Sequence, residues 1–344
     1  MGSKDMEPLA ASWWPIFFKS QLHYKAKFPP QDTSLSDKVL IITGGNQGLG
    51  FESARQFLSL HLSHLIITVR SESKGKAAAS KLQEEFPNAT ISVWSLDMCS
   101  YDSIQKFVKR VESELPRLDI AILNAGRSKA DFELVPSTGH EESLQVNYLS
   151  TMLLATLLLP ILKSKSPPGT PGRLSIVSSG TTLATSFSNS QQSPLLKSFD
   201  DAKTGPSPGL QTYGATKMLC QMFLYKLIDY VSADDVVVNL VDPGMTRGTG
   251  LNRDVPKVIR IFAVPMLLAI SRSVTDGASA YSDATIVKQK ESHGCFIMDW
   301  EIRPFPPLLY TPQGKNTIER LWQETLDEFE FAGARRVLES MKKT

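Results

Sequence analysis

The sequence has few of the residues that form disulfide frameworks or metal centres. Its 344 residues include three cysteines, Cys99, Cys220 and Cys295, and five histidines. So few cysteines, odd in number, do not make a disulfide framework, which favours a reducing compartment and a cytoplasmic location. No two cysteines have metal-ligand spacing and the histidines are scattered, so we expect no bound metal.

The chain also lacks a charge imbalance and a long apolar run. Its formal net charge of +2 gives no electrostatic reason to expect a nucleic-acid partner. An aromatic patch at 13–18 is too short to span a bilayer and lacks the features of a signal peptide. Apolar runs at 151–162 and 258–270 are interrupted by proline or charge. We therefore expect no membrane span, and peripheral membrane contact stays open.

Short apolar runs instead alternate with helical patterns over much of the chain. We predict strands at 39–43, 65–69, 90–96, 118–123, 173–177 and 236–240, with helices at 49–60, 73–85, 103–115, 142–162 and 212–231. Strands separated by helices of about ten residues or more form βαβ units and a parallel sheet. The glycine-rich turn after the first strand favours a doubly wound, Rossmann-type α/β fold over a closed barrel.

The remaining segments are expected to surround one domain at 37–300. The pattern predicts an irregular N-terminal extension at 1–36 and a tail at 301–344. Turn-forming residues predict loops at 164–172 and 185–211, and a loop as long as the second is usually functional or disordered. After residue 245 the strand pattern stops, and helices are expected at 256–271, 276–288 and 317–331.

The first predicted strand runs into a glycine-rich turn that opens a helix. Glycine permits positive φ angles and close approach of the backbone to a phosphate, and a helix N-terminus attracts the pyrophosphate of a dinucleotide. A tight turn without a ligand is the alternative. Cofactor contacts are predicted for Thr43, Gly44, Asn46, Gln47, Gly48, Leu49 and Gly50.

Arg70 ends the second strand, about 20 residues past the last glycine, where an enzyme that prefers NAD carries an acid for the ribose 2′-hydroxyl. A guanidinium at this position pairs with a 2′-phosphate. Lys74 lies one helical turn further on. These residues predict NADP(H) rather than NAD(H), unless Arg70 is only a solvated surface charge.

Tyr213 and Lys217 are four residues apart, so a helix would place them on one face. A tyrosine with a pKa of about 10 is a poor acid or base at neutral pH, and a neighbouring ammonium lowers that pKa. The pair alone is common by chance, and an ordinary amphipathic helix would account for it.

Several motifs in order make the chain similar to the short-chain dehydrogenase/reductase family over about 37–300. The turn resembles the family's TGxxxGxG, and Leu123-Asn124-Ala125-Gly126 resembles its NNAG with leucine in place of the first asparagine. Asn147, Ser179, Tyr213 and Lys217 match the catalytic tetrad. The resemblance adds cofactor contacts at Asp97 and Met98, Asn124, Ala125 and Gly126, Tyr213 and Lys217, and Pro243, Gly244 and Thr246. The tail motifs HGCFIMDW and LWQETLDEFE resemble a retinol-dehydrogenase-like branch and fungal reductases often associated with secondary metabolism.

The resemblance implies a mechanism for carbonyl reduction or the reverse alcohol oxidation. Ser179 polarises the carbonyl, with Ser178 as its rival, and Tyr213 protonates the developing alkoxide. Lys217 lowers the pKa of Tyr213 and binds the nicotinamide ribose, and Asn147 holds a water that links Lys217 to solvent. The hydride comes from NADPH.

An apolar segment at 248–272 predicts a substrate lid and a bulky hydrophobic substrate, although a helix packed on the core fits its periodicity equally well. Two other functions remain open: a non-redox epimerase, dehydratase or cyclase that retains NADP(H), and a cofactor-sensing binding protein. The family often dimerises through the helices that contain Asn147 and Tyr213, so the chain is expected to be a monomer or a homodimer.

Overall fold

The computed structural model describes residues 2–10, 12–249 and 270–342. Within them, eight strands form one sheet in the order β3-β2-β1-β4-β5-β6-β7-β8. The strands are β1 (Val39–Thr43), β2 (His64–Val69), β3 (Thr90–Ser95), β4 (Ile120–Leu123), β5 (Gly172–Val177), β6 (Val236–Asp242), β7 (Phe296–Met298) and β8 (Glu301–Arg303). All neighbouring pairs are parallel except β7 with β8.

Helices cover both faces of this sheet. Ile41 belongs to one buried apolar cluster and its neighbour Ile42 to another, because successive side chains of a strand point to opposite faces. The predicted doubly wound, Rossmann-type sheet is confirmed. The helices are α1 (Trp13–His23), α2 (Gly48–Ser59), α3 (Glu72–Glu85), α4 (Tyr101–Glu114), α5 (Glu142–Leu144), α6 (Ser150–Lys165), α7 (Leu195–Phe199), α8 (Leu210–Leu227), α9 (Val274–Ser282), α10 (Pro312–Glu328) and α11 (Ala334–Met341).

The helical run at Glu142–Lys165 combines α5, a π turn at Gln145–Leu149 and α6. By length and composition this run could cross a membrane, but 89% of its apolar window is buried inside the protein. Its apolar character is therefore that of a core helix. The predicted uninterrupted helix at 142–162 missed the π turn, which sequence periodicity does not reveal because it adds a single residue to one turn.

The prediction that residues 1–36 are irregular is wrong for α1. Ser12 precedes this helix in an extended conformation, and Phe17 and Ser20 are its buried residues. The helix was hard to predict because its exposed positions are also apolar, with Trp14 63% exposed and Leu22 58% exposed. An amphipathic pattern was therefore absent.

The expectation that the strand pattern stops after residue 245 is also wrong. β7 and β8 extend the sheet as a hairpin, and the connecting residues Asp299 and Trp300 both have positive φ angles. Hairpin turns of this kind normally carry asparagine or glycine, so the sequence lacked the usual turn signal. The predicted helix at 256–271 and most of the predicted lid at 248–272 lie outside the described residues.

The predicted loop at 185–211 contains α7 and is attached to the C-terminal tail. The Glu324 carboxylate on α10 accepts hydrogen bonds from the backbone amides of Leu195 and Leu196, both at 2.8 Å. Beyond that contact, α10 packs on α8 and α11 packs on α6. The tail thus covers one face of α8, which contains Tyr213, and one face of α6, which begins shortly after Asn147.

A half-buried histidine joins the same loop to α10. The ring of His140 lies 2.9 Å from Asp200 Oδ2 and 3.2 Å from Glu328 Oε1. Burial alone would lower the pKa of His140, but the hydrogen bonds to these two carboxylates raise it to about 9. The charged imidazolium therefore stabilises the folded chain.

His140→Gln is expected to remove a pH-dependent part of the free energy of unfolding. Because the folded-state pKa is raised, the stabilisation is complete below the unfolded value of about 6.5 and is lost as the pH rises through about 9. The free energy of unfolding, measured with urea, should fall between pH 6 and pH 9.5 in both proteins. The fall should be larger in the wild type than in the variant by on the order of 2–3 kcal/mol. Equal losses in both proteins would contradict this.

Candidate active site

The glycine-rich turn between β1 and α2 forms a cradle with little room for side chains. Gly44 and Gly48 have φ angles of +66° and +55°. A Cβ atom on Gly45 would lie 2.8 Å from the side chain of Ile67, and one on Gly50 would lie 2.6 Å from Asn124 Nδ2. Gln47 precedes α2 without a side-chain cap, so the first amides of the helix remain available to an anion. The turn therefore fits the pyrophosphate of a dinucleotide.

The segment after β4 is fixed to this turn. Asn124 Nδ2 donates to the carbonyl of Thr43 at 2.8 Å, and the amide of Ala125 donates to Thr43 Oγ1 at 2.9 Å. The hydroxyl of Tyr281 donates to Asn124 Oδ1 at 2.8 Å. Gly126 follows, and a Cβ atom there would lie 3.4 Å from Asn147 Oδ1 and 3.7 Å from Lys217 Nζ. The motif thus joins the glycine-rich turn to the tetrad residues.

The residues predicted to contact the adenosine end of the dinucleotide follow the carboxyl ends of two neighbouring strands, β2 and β3. Arg70 follows β2 and Lys74 lies in the first turns of α3, and both are exposed. Asp97 follows β3, where its carboxylate accepts the amide of Cys99 at 3.0 Å. Met98 is buried, and its carbonyl accepts a hydrogen bond from Ser150. β2 and β3 pair in parallel, so Arg70 and Asp97 lie at the same edge of the sheet.

The segment after β6 continues along this edge. Gly244 has a φ angle of +74°, and the carbonyl of Pro243 accepts a hydrogen bond from Arg272 at 3.1 Å. Thr246 Oγ1 donates to the carbonyl of Gly244 at 3.2 Å. A Cβ atom on Gly48 would lie 3.7 Å from Thr249, so this segment reaches the glycine-rich turn.

Tyr213 and Lys217 lie in α8 and are both buried. Lys217 Nζ is 5.8 Å from the centre of the Tyr213 ring and donates to the carbonyl of Val177 at 2.7 Å. Val177 is the last residue of β5. The ammonium is thus held between the tyrosine and the carboxyl end of the strand that leads to the two serines.

The two candidate serines have different partners. The Ser179 side chain is close enough to Tyr213 to lower the pKa of the phenol, and Ser179 Oγ accepts a hydrogen bond from Thr181 Oγ1 at 3.0 Å. Ser178 is buried and accepts from Gln221 Nε2 at 3.3 Å. The structure therefore brings Ser179 together with Tyr213 and places the Ser178 hydroxyl against Gln221.

Asn147 lies in the π turn between α5 and α6. Its Nδ2 donates to the carbonyl of Arg127 at 2.7 Å, and its Oδ1 accepts the amide of Arg127 at 2.7 Å. Nδ2 also lies 3.1 Å from Thr216 Oγ1 on α8. Because π turns often occur at functional sites, this position is a notable one for a tetrad residue.

The titratable groups of the site are governed mainly by burial. Burial raises the pKa of Tyr213, the nearby Asp242 carboxylate raises it further, and the hydrogen bond with Ser179 lowers it. Burial lowers the pKa of Lys217. Burial also raises the pKa of Asp242 to about 6, against the opposing effect of Arg272. The protonated phenol is therefore the favoured form of Tyr213 near neutral pH.

Sequence reasoning missed a buried ionic network behind these residues. Arg272 and Asp299 form an ion pair at 2.5 Å with side chains 5% and 2% exposed. Ser20 on α1 donates to Asp299 Oδ1 at 2.5 Å, and Gln21 Nε2 donates to the carbonyl of Met245 at 2.9 Å. These contacts attach α1 to the segment after β6. The acid Asp242, which directly precedes the motif residues Pro243-Gly244, was the sequence feature that pointed to charged groups in this region.

This arrangement places a buried phenol, a serine hydroxyl and an ammonium at the carboxyl edge of a parallel sheet, beside a phosphate cradle. Ligands of open α/β sheets bind at this edge. A phenol that lies beside a serine hydroxyl can deliver a proton to a carbonyl oxygen placed between them. The geometry therefore suits proton transfer beside a bound dinucleotide.

The chain belongs to the short-chain dehydrogenase/reductase family. A family model described as short chain dehydrogenase matches residues 38–191. Members of this family are oxidoreductases that use NAD(P) and act on CH–OH or C=O groups of small molecules. The resemblance predicted from the sequence motifs is confirmed at the level of the family.

Two relatives show how far the similarity extends. Short chain dehydrogenase/reductase mfmJ of Annulohypoxylon moriforme is 56% identical over 343 residues, which cover 99% of each chain. Short chain dehydrogenase virL of Hypocrea virens is 44% identical over 316 residues, 92% of each chain. The similarity therefore includes the N-terminal and C-terminal segments as well as the sheet.

Solved structures share the fold at lower identity. A short chain dehydrogenase of Shigella flexneri, complexed with NADP, is 19% identical with a TM-score of 0.56 and covers 79% of this chain and all of its own. Salutaridine reductase of Papaver somniferum is 19% identical with a TM-score of 0.55, covering 75% of this chain and 99% of its own. At this identity they support the fold alone.

Proposed function

We propose that the protein is an NADPH-dependent carbonyl reductase or alcohol dehydrogenase that acts on a bulky hydrophobic ketone, aldehyde or alcohol. The observation that carries this proposal is the placement of Ser179 beside Tyr213, with Lys217 Nζ 5.8 Å from the centre of the Tyr213 ring and the glycine-rich turn at the same sheet edge. Family membership supports the reaction class, and the four tetrad residues support activity rather than cofactor sensing alone.

The proposed roles follow from these contacts. Ser179 donates a hydrogen bond to the substrate carbonyl, and Tyr213 transfers its proton to that oxygen as negative charge develops. The Lys217 ammonium stabilises the phenolate that remains, and Asn147 fixes the backbone of Arg127 beside it. Bound NADPH supplies the hydride that reduces the carbonyl carbon.

The proposed preference for NADPH rests on Arg70 and Lys74. Both are exposed cations beside the edge of β2, where the ribose of the adenosine end is expected. Asp97 and Met98 are proposed to contact the adenine, and Pro243, Gly244 and Thr246 the nicotinamide. The Shigella flexneri and Escherichia coli relatives of known structure were solved with NADP and NADPH, which adds support for this choice.

Asp242→Asn is expected to move the basic limb of the pH profile to lower pH. The Asp242 carboxylate raises the pKa of Tyr213, so its neutralisation lowers that pKa. Reduction requires the protonated phenol, and kcat/KM for ketone reduction will therefore begin to fall at a lower pH in the variant. The measurement is kcat/KM from pH 6 to pH 11, with the NADPH dissociation constant as a control. An unmoved basic limb would show that Asp242 does not act on Tyr213.

The experiment that tests the function is NADPH consumption, measured by absorbance, with a panel of ketones of increasing apolar size. The proposal expects consumption that rises with the size of the apolar group. If no ketone or aldehyde consumes NADPH and no matched alcohol reduces NADP⁺, the redox assignment is wrong.

We further propose a cytoplasmic enzyme of fungal secondary metabolism that acts as a monomer or a homodimer. Support for the metabolic role comes from the relatives, which are fungal proteins. Support for the location comes from Cys99, Cys220 and Cys295, which are all free thiols. The packing of α10 and α11 on α8 and α6 favours the monomer because it occupies surface that a dimer would use.

A further inference from the structure

We propose that Trp13 on helix α1 forms one wall of the substrate site and selects substrates with an aromatic or flat conjugated group. This inference rests on the proposed function, since it assigns the substrate class of the same site. Three observations carry it: the position of Trp13, the attachment of α1, and the chemistry of the surface around Gly180.

Trp13 lies next to the residue that follows Ser179. A Cβ atom on Gly180 would lie 3.4 Å from Trp13 Cη2, 3.1 Å from Asp242 Oδ2 and 3.5 Å from Met298 Sδ. The indole therefore contacts the position that directly follows Ser179, the serine that lies beside Tyr213. A carbonyl held by Ser179 and Tyr213 places the rest of the substrate within reach of this ring.

The helix that carries Trp13 is fixed rather than loosely attached. Arg272 donates to the carbonyl of Ser20 at 3.0 Å, and the Ser20 hydroxyl donates to Asp299. Gln21 donates to the carbonyl of Met245 and accepts the amide of the same residue at 3.2 Å. Because Met245 follows Pro243-Gly244, the helix and the proposed nicotinamide-binding segment are held as one unit. This attachment preorganises the indole for a ligand.

The surface presented by Trp13 favours an aromatic ligand. The ring lies 5.4 Å from the ring of Phe17 at 39°, and its side chain is half-buried. The Met298 thioether and the Asp242 carboxylate lie beside the same indole at Gly180, so most of the contact surface there is apolar. Offset or edge-to-face packing of a flat ring on indole contributes free energy beyond that of apolar burial. A small aliphatic carbonyl compound gains little from the same wall.

Trp14 provides a matched control on the same helix. It is 63% exposed, and its ring packs against Phe17 and Phe18 instead of Gly180. Replacing either tryptophan with alanine removes the same side chain from adjacent positions. A general effect of lost aromatic surface would therefore appear in both variants. An effect on the substrate site would appear in Trp13→Ala and not in Trp14→Ala.

The test measures the reduction of 2-acetylnaphthalene and butanone by the full-length enzyme and its variants with NADPH. Trp13→Ala is expected to lower kcat/KM for 2-acetylnaphthalene about 10- to 100-fold, because the naphthyl group loses the apolar surface against which it is buried. The value for butanone should change by less than about threefold. Trp14→Ala should leave the ratio of kcat/KM for 2-acetylnaphthalene to kcat/KM for butanone at its wild-type value. Trp13→Phe should keep most of the wild-type ratio.

Binding of 2-acetylnaphthalene to the NADP⁺ complex, measured by calorimetry, separates this inference from the proposed function. If the wild type binds the ketone in a Trp13-dependent way but consumes no NADPH, the wall is supported and the redox assignment fails. If Trp13→Ala folds, binds NADPH normally and keeps the wild-type ratio and affinity, the inference is wrong. Equal losses in Trp13→Ala and Trp14→Ala would also overturn it.

Discussion

Tyr213→Phe is expected to lower kcat/KM for carbonyl reduction by about 10²- to 10⁴-fold, the usual contribution of a positioned general acid. The change removes one oxygen atom from a buried ring and keeps the ring itself, so the packing of α8 is preserved. The dissociation constant of NADPH should change little because most of the proposed cofactor contacts lie in the glycine-rich turn, at Arg70 and in the segment after β6. Steady-state kinetics and fluorescence titration of NADPH measure the two quantities.

Tyr225→Phe is the matched control, because Tyr225 lies on the same helix and packs its ring near Phe305. It should retain wild-type turnover. If Tyr213→Phe keeps more than about a tenth of the wild-type kcat/KM, Tyr213 does not supply the proton in the rate-limiting step.

Arg70→Asp is expected to reverse the preference between NADPH and NADH. A charge-assisted hydrogen bond is worth about 1.5–3 kcal/mol, so its loss lowers the ratio of kcat/KM for NADPH to that for NADH about 10²-fold. The carboxylate also repels the 2′-phosphate and can accept a hydrogen bond from the ribose 2′-hydroxyl of NADH. The measurement is kcat/KM for each cofactor at fixed ionic strength.

Lys81→Asp makes the same change in charge at an exposed position of α3 further along the chain, and it should leave the ratio nearly unchanged. A ratio that shifts equally in both variants would indicate a general electrostatic effect. An unchanged ratio in Arg70→Asp would show that Arg70 does not recognise the 2′-phosphate.

The parts of the fold that local sequence determines were predicted from it. β1 consists of four buried apolar residues followed by the buried Thr43, which is the pattern of a central parallel strand. The glycine-rich turn follows directly, and the steric limits at Gly45 and Gly50 explain why side chains are absent there. Both features depend on neighbouring residues, so periodicity and turn chemistry were sufficient.

The parts that depend on distant contacts were not predicted. α1 is held by Arg272 and Asp299, which lie 252 and 279 residues away from Ser20 in the sequence. The β7–β8 hairpin turns at Asp299 and Trp300, which have positive φ angles; Asp299 pairs with Arg272, and Trp300 Nε1 donates to Ser279 Oγ. Local sequence patterns do not reveal contacts between residues that are so far apart in the chain.

The candidate site shows the same division. The tetrad was predicted from the family motifs, whereas the glycine-rich turn and Arg70 were predicted from turn chemistry and sequence spacing, and the roles of all these residues remain proposals. Asp242 was overlooked as a site residue because its effect depends on its burial beside Tyr213 rather than on its position in a motif. Arg272 was assigned to the predicted lid, whereas the structure places its guanidinium in a buried ion pair.

The most direct test of the central claim is hydride transfer from NADPH deuterated at the transferring position of the nicotinamide. With an apolar ketone that the enzyme accepts, the account predicts one deuterium on the carbinol carbon of the product for each NADPH consumed, detected by mass spectrometry. A converted product that carries no deuterium, formed without oxidation of NADPH, would contradict the account and indicate non-redox chemistry on the same scaffold.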